Sequence, residues 1–594
     1  MGGDSVDIPS LLPLHHHHLA GEILNHSNWV EFIFLLVILS ALVKPVGLYL
    51  CKVFDPQGKT GLEFILKPLE RITYKLCRID TTAEQDWKKY TASIFLFTLF
   101  CFLSLFSILM FQNILPLNPQ KIEGMGFVES FNVAVSFVTN TDWQNYVPEE
   151  EVSYFATIFG LVVQNFCSAG VGICVATACI RGIANNSSKS LGNFWVDLIR
   201  VSYYLLLPLS LFLSVIFISE GVPQNFKPYT QAHTLDQDRT QLIAQGPMAC
   251  FESIKLIGSN GGGSTNADSA HPYENPTPFS NWLQNLSILL IPAAQVYYFG
   301  KSVQNQKHGW SIYIFMLLLF SLGAYLNSTI EAGGNPLLAD KMLDLSEGNM
   351  EGKEQRFGVF DSALFATSTT AVSNGAMSSS HTCYLPWAQA ILLLNMQTGN
   401  IIFGGVGSGL YSLVHLILIS TFLAAMMIGR VPQYLGKKIE AFEMKMSLLP
   451  VIIYAIGILG LTSLSFMSGW GKLVLPTEPT HGFTGMLYAF SSTMANNGSD
   501  FAHINATSIF FKLSTAFSMM AGRFLVILAT MALAGSLAVK KRLPEGSGSL
   551  RVSGATFIIL ISAVFLIINA LGYLPALLLG PELEHILMNE MMQP

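Results

Sequence analysis

Apolar residues gather along this chain into ten stretches, at about 29–50, 91–111, 152–181, 195–219, 281–300, 310–330, 386–430, 448–468, 506–538 and 555–579. A helix that crosses a bilayer needs about 20 mostly apolar residues. The pattern predicts an all-α polytopic membrane protein with about ten transmembrane helices. The seventh stretch is too long for one simple span. Its middle reads Gly404-Gly405-Val406-Gly407-Ser408-Gly409, which should break the helix. Non-helical backbone at membrane depth persists only where protein or a water-filled cavity surrounds it. Gly404, Gly405, Gly407 and Gly409 are therefore functional candidates, with a glycine-lined close helix contact as the structural alternative.

Four shorter amphiphilic runs, 130–138, 249–257, 361–371 and 484–494, lie between spans and have the length of half-helices. Each leads into a small polar turn. The turns read Val138-Thr139-Asn140-Thr141, Gly258-Ser259-Asn260-Gly261, Val372-Ser373-Asn374-Gly375 and Ala495-Asn496-Asn497-Gly498. Their Asn positions are separated by 120, 114 and 123 residues, a spacing too long for a solenoid. From the second span onward the order is span, half-helix, turn, span, over 91–181, 195–300, 310–430 and 448–538. Outside these four pore repeats lie a polar tail at 1–28, a first span with its loop at 29–90, and a last span at 555–579. Closed around one axis, the repeats would enclose one central pore with fourfold pseudosymmetry. Polar excursions at 220–248, 263–280 and 331–357 predict a cap on the turn side.

A half-helix ending in a glycine-containing turn between two spans is the plan of a cation selectivity filter. A cation that leaves water must recover its solvation, and backbone carbonyls from several loops can supply it. Gly261, Gly375 and Gly498 permit positive φ without steric cost, with Gly262 following the first of them and Thr141 in the matching place of turn one. Asn140, Asn260, Asn374 and Asn497 tolerate unusual φ. Thr139, Ser259, Ser373 and Asn496 can tie each turn to its neighbours. The half-helices would aim the negative ends of their dipoles at the pore centre. Oxygen ligands without carboxylates favour a monovalent ion, with K+ the expected cargo. Asp142 and Asp500 fall just outside the turns, where they either attract cations at the mouth or make ordinary surface hydrogen bonds. Arg523, in Ala521-Gly522-Arg523-Phe524 of the ninth span, is costly at that depth and should face the interior. It serves there either as an electrostatic barrier or as a donor to carbonyls or a carboxylate.

Charge assigns the sides. The loop after the first span carries Lys52, Lys59, Lys67, Arg71, Lys75, Arg78, Lys88 and Lys89. Later loops of the same side carry Arg181, Lys189, Arg200, Lys301, Lys307, Arg430, Lys437, Lys438, Lys445, Lys540, Lys541, Arg542 and Arg551. The turn-bearing loops are acidic, with Glu149, Glu150, Glu151, Asp340, Asp344 and Glu347. By the positive-inside rule the basic loops are cytoplasmic, and the turns and both termini extracytoplasmic.

Composition agrees with this reading. The 594 residues are 51% hydrophobic and 12% charged, against about 25% charged in a typical soluble protein. The net charge of −6 adds little, because charge in such a chain is sorted by loop. The eight cysteines form no C-x-x-C pair, and Cys167, Cys174 and Cys179 sit in one apolar span as small hydrophobes. The first 28 residues lack the basic region of a cleavable signal. Within them, His15 to His18 read as part of a disordered tail rather than a metal tract. Residues 64–77 are partly amphipathic. Gly58-Lys59-Thr60 tempts a P-loop reading, but that motif needs a glycine where Val53 stands. No nucleotide site, organic cofactor or nucleic-acid partner is expected.

At this point the chain resembles the potassium-binding A subunits of Kdp-type potassium-transporting ATPases, within the potassium transporter superfamily of Trk, Ktr and HKT folds. The resemblance spans nearly everything after residue 29. It is carried by Ala134 through Thr141 with Trp143-Gln144, Val163-Gln164-Asn165-Phe166, Asn260-Gly261-Gly262-Gly263 and Ser269 to Pro276. It continues in Asn349 to Glu354, Phe403 to Tyr411, Gly429-Arg430, Tyr434 to Ile439, Asn496 to Ser499 and Ala534 to Leu537. It implies a subunit of the bacterial inner membrane that selects K+ at the four turns and passes it sideways. ATP hydrolysis would belong to a separate P-type ATPase catalytic subunit, with a single-span accessory subunit, a small single-span peptide and membrane lipid completing the surroundings. Gln144, the loop at 404–409 and Arg523 are then candidates for gating or coupling.

Four positions depart from the family pattern. Ser264-Thr265 replace a common Phe-Phe, Asn374 stands in a usual Ser-Cys-Gly, and Asn400 stands in a usual Gly-Glu. An autonomous potassium channel or ion-coupled symporter remains the alternative, because fold alone does not fix function. A membrane enzyme finds no support, since no Cys/His metal spacing, nucleophile elbow or intramembrane carboxylate pair is present.

Overall fold

The apolar stretches are helical in the computed structural model, the seventh as two helices, and the structure describes residues 26–591 except 56–57, 235–238, 340–345, 473, 475–478, 503 and 544–550. His15 to His18, Asp340 and Asp344 lie outside the described residues. Among the described residues nine helices are long and apolar enough to span, including His26–Phe54, Trp87–Met110, Ala156–Ala184, Phe194–Glu220, Ala441–Met467, Ile509–Val539 and Ala555–Glu590. The fifth span, Pro278–Ser302, has the length at 25 residues. It is more polar, because Asn281, Gln284, Asn285 and Gln295 are buried on it. Thr277 and Ser280 close its N-terminus with a reciprocal capping box. The sixth span is Gln306–Ala332. The seventh is broken as expected, into Pro386–Gln397 and Ser408–Met427. This is an all-α polytopic membrane protein.

The half-helices are Phe127–Val138, Met248–Ile257, Gly358–Val372 and Pro479–Met494. Each starts a little earlier than its amphiphilic run and ends within a residue of it. They are buried along most of their length, which suits re-entrant elements that meet protein on every side. Spans approach closely where residues are small. A methyl on Gly182 would come within 2.8 Å of Ala534 Cα, and one on Gly47 would meet Tyr297 Cβ at 2.8 Å. Such contacts are the usual means of packing helices where apolar burial gives no preference for protein over lipid.

One β-hairpin, Thr230–His233 with Thr240–Ile243, stands on the face that carries the turns. On the opposite, basic face, Glu63–Leu76 is a helix whose Phe64, Ile65, Ile72 and Leu76 are exposed. The cations of this face also cap helices. Lys437 Nζ donates to Gly182 O at 2.9 Å, Asn185 O at 2.6 Å and Leu537 O at 2.6 Å. Arg542 Nη2 reaches Ala184 O at 2.9 Å. Arg200 Nε holds Val53 O at 2.6 Å, and Tyr90 and Arg181 both bond Asp197. The ends of the first, third and ninth spans are thereby given cationic donors for their unpaired carbonyls.

Lys437→Met removes three of these bonds at once from a buried position. The expected loss is about 2–3 kcal/mol of stability, read as a lower unfolding midpoint of the detergent-solubilised protein. An unchanged midpoint would refute the capping role.

Candidate functional site

The four half-helices end in one backbone figure. In turns two, three and four a left-handed residue follows the helix: Ser259 (φ 48°), Ser373 (φ 55°) and Asn496 (φ 53°). The next amide donates to the carbonyl five residues back, from Asn260 to Lys255 at 2.9 Å, Asn374 to Thr369 at 2.9 Å and Asn497 to Ser492 at 2.8 Å. This is a Schellman closure. One residue further the chain is left-handed again, at Gly261 (φ 81°), Gly375 (φ 93°) and Gly498 (φ 103°).

Turn one repeats the figure one residue later. Its left-handed residues are Asn140 (φ 62°) and Asp142 (φ 50°), and Thr141 N donates to Ser136 O at 3.0 Å. The expectation that Thr141 matches the glycines is therefore corrected. Thr141 corresponds to Asn260, Asn374 and Asn497, and Asp142 takes the glycine place. Thr139 stays right-handed and extends the helical path, so the first left-handed residue is Asn140. Asn and Asp are the side chains that enter this region most readily. Asp142 is also not at a surface mouth: it is 1% exposed, whereas Asp500 is exposed.

The turns touch in a closed cycle. A methyl on Gly261 would overlap Asn374 O, one on Gly375 would overlap Asn497 O, and one on Gly498 would overlap Thr141 O. Turns one and two meet through Asn140 Nδ2, which donates to Ser259 O at 2.5 Å, and through Asn260 Nδ2, which donates to Asn140 Oδ1 at 2.9 Å. A methyl on Gly262 would come within 3.2 Å of Asp142 O. Side chains brace the cycle from behind. Asn374 Nδ2 shares Lys255 O at 2.9 Å, Asn497 Nδ2 shares Thr369 O at 2.8 Å, and Asn496 Nδ2 reaches Thr141 Oγ1 at 2.9 Å. Thr139 and Thr141 hydroxyls pair at 2.8 Å. Gln144 clamps the glycine run of turn two, accepting from Gly263 N at 3.0 Å and donating to Gly263 O at 3.1 Å.

The break in the seventh span lies against turn three. A methyl on Gly405 would come within 3.4 Å of Val372 O, and Gly404 N donates to Ala371 O at 3.2 Å. Gly407 (φ 91°) donates to Gln295 Oε1 at 3.0 Å. A methyl there would overlap Gly172 O, and one on Gly409 would overlap Phe403 O. Arg523 comes to the same place. It is buried in a π-helical segment of the ninth span, Ala521–Leu525, and its Nη2 donates to Ser168 O at 3.0 Å. A methyl on Gly172 would meet that Nη2 at 3.1 Å. A cavity beside the break is lined by Gln397, Thr398, Ser412, His415, Tyr454 and Asn569, among others.

The family model of the potassium-transporting ATPase A subunit, KdpA, matches residues 33–586. The chain belongs to that family. The potassium-transporting ATPase potassium-binding subunit of Methylacidiphilum infernorum is 48% identical over 567 residues, covering 95% of this chain and 98% of the relative. That of Nitratidesulfovibrio vulgaris is 45% identical, covering 92% and 96%. Among solved structures, the potassium transporter TrkH of Vibrio parahaemolyticus shares the fold at TM-score 0.51 and 14% identity, over 85% of this chain and 96% of that one.

Of the positions where this A-subunit sequence departs from the expected pattern, Thr265, Asn374 and Asn400 are built into the braces. Asn400 Oδ1 accepts from the Ser373 hydroxyl, and its Nδ2 donates to Ala495 O at 2.9 Å, linking turns three and four. Thr265 donates to Glu274 Oε1 from its amide at 2.7 Å and from its hydroxyl at 2.9 Å. Glu274 belongs to a cluster that the sequence reading missed. Lys255, fully buried on half-helix two, lies 2.7 Å from Glu252, 2.9 Å from Glu274 and against Asp268. Asp268 also accepts from Met377 N at 2.8 Å, just past turn three. Burial pushes the Asp268 carboxyl, in the outer loop, up to about 6 against the pull of Lys255. The available signal was a lysine and a glutamate three residues apart on an apolar half-helix, facing an acidic loop.

Lys255→Met leaves three buried carboxylates without their cation, which costs about 3–5 kcal/mol and should abolish the folded, monodisperse protein. Adding Glu252→Gln and Asp268→Asn should recover part of it, measured by size-exclusion yield. Full yield from the single variant would show that the cluster does not hold turns two and three.

Proposed function

We propose that this chain is the potassium-selecting and translocating subunit of an ATP-driven, high-affinity potassium import complex. The observation that carries the reading is the closed cycle of turns, in which equivalent carbonyls of Thr141, Asn374 and Asn497 each lie against the next turn. With Asn260 in the fourth place, four units offer main-chain oxygen to one point. K+ would arrive from the extracytoplasmic side, exchange water for these carbonyls and stay there without a carboxylate ligand. The Asn braces fix the cage size, because a cycle of short hydrogen bonds resists contraction around a smaller ion.

Below the turns, the glycine loop at 404–409 and Arg523 bar further descent. The loop does so sterically, and the guanidinium does so by charge. The ion would leave sideways through the cavity lined by Gln397, Ser412 and His415, toward a separate P-type ATPase catalytic subunit. A single-span accessory subunit and a small single-span peptide complete the assembly, in the bacterial inner membrane with both termini outside. The names of the relatives support K+ as cargo and an ATPase as partner.

The test is ATPase activity of the whole co-purified complex. K+ and Rb+ should stimulate it well above Na+. A self-sufficient channel or symporter is the second reading, which the fold alone permits. Potassium flux in liposomes holding this chain alone, without ATP, would establish it instead. Within the complex, Gly375→Val or Gly498→Val should cut K+-stimulated activity by about 100-fold or more, the scale of about 3 kcal/mol. Subunit co-purification should stay intact. Wild-type K+ response in either variant would remove the turns as the selecting site.

A further inference from the structure

The ring is not fourfold in charge. Three turns place glycine at their second left-handed position, and turn one places Asp142. Its side chain is buried, and among the described residues neither carboxylate oxygen has a hydrogen-bond partner. It faces the amide of Asn165 on the third span, whose two polar atoms are likewise without partners. Lys255 acts on it electrostatically but is already held by three carboxylates of its own. Burying a carboxylate with so little to hold it is costly, and the backbone of Asp142 belongs to the ring itself. We infer that Asp142 is an affinity-determining residue of the ring, ionised when the ring is occupied, so that its negative charge balances one monovalent cation held by the carbonyls of the four turns. It acts through its field rather than as a ligand, so charge is what matters, and a left-handed, isosteric Asn should keep the backbone while removing the effect.

This inference rests on the reading of the turns as the K+ site, and the experiment separates the two. Asp142→Asn, Asp142→Gly and Gly375→Val are each prepared within the complete complex. K+ half-saturation of ATPase activity and equilibrium binding of radioactive rubidium are then measured. Asp142→Asn should raise the half-saturating K+ concentration and weaken rubidium binding by about tenfold. That is the size expected of one charge acting over several ångströms in a medium of intermediate dielectric. Asp142→Gly, which puts glycine at the second left-handed position of all four turns, should do the same and decides the matter should the Asn variant fail to assemble. Unchanged affinity in the assembled charge-removing variants, with Gly375→Val inactive, overturns the role of Asp142 and leaves the ring standing. Unchanged affinity in all three variants overturns both.

Discussion

Non-helical backbone within a membrane has no water to satisfy its amides and carbonyls, and the structure is arranged around that constraint. Each half-helix stops short of crossing, so its last carbonyls and the turn's amides need partners from protein. The Schellman closures supply the first set, from Thr141, Asn260, Asn374 and Asn497 back into their own helices. The Asn side chains supply a second set from the neighbouring turn. The same carbonyl, Lys255 O or Thr369 O, thus receives one bond from its own turn and one from the next. No turn is satisfied alone, which is why the four can be stable only as a cycle.

The charge pattern serves two purposes in the same residues. Loop lysines and arginines mark one face by the positive-inside rule, and in the fold many of them cap helix ends. Lys437 holds the last carbonyls of the third and ninth spans, Arg542 adds to the third, and Arg200 holds the end of the first span. On the other face the dominant buried charge is the Lys255 cluster, which ties an outer loop to turns two and three. The two sides therefore use ion chemistry differently, to finish helices on one and to brace turns on the other.

Much of this was legible in the sequence, because apolar length and helix-breaking glycine act locally. The spans, the half-helices and the break at 404–409 follow from those features alone. The register of turn one did not, because a shared Thr/Ser-Asn word draws the eye to Asn140 opposite Asn260. What the backbone conserves is a pair of left-handed residues two apart, and Asn140 with Asp142 satisfies it where Thr141 cannot. The Lys255 cluster is only half legible: the Glu252–Lys255 pair stands in the sequence, but Asp268 and Glu274 come to it from a loop whose path depends on the whole fold. The depth of Arg523 alone turns it to the interior, and the packing of the third span against the ninth adds the backbone carbonyl, Ser168 O, that receives it.

The cyclic contact of four turns drawn from one polypeptide has an evolutionary corollary. A homotetramer must repeat any change at every subunit, so a single new side chain near the axis appears in quadruplicate and crowds or overcharges it. Here each quarter is encoded separately and mutates by itself. A ring built this way can carry unequal members, as it does at Asp142, and still close.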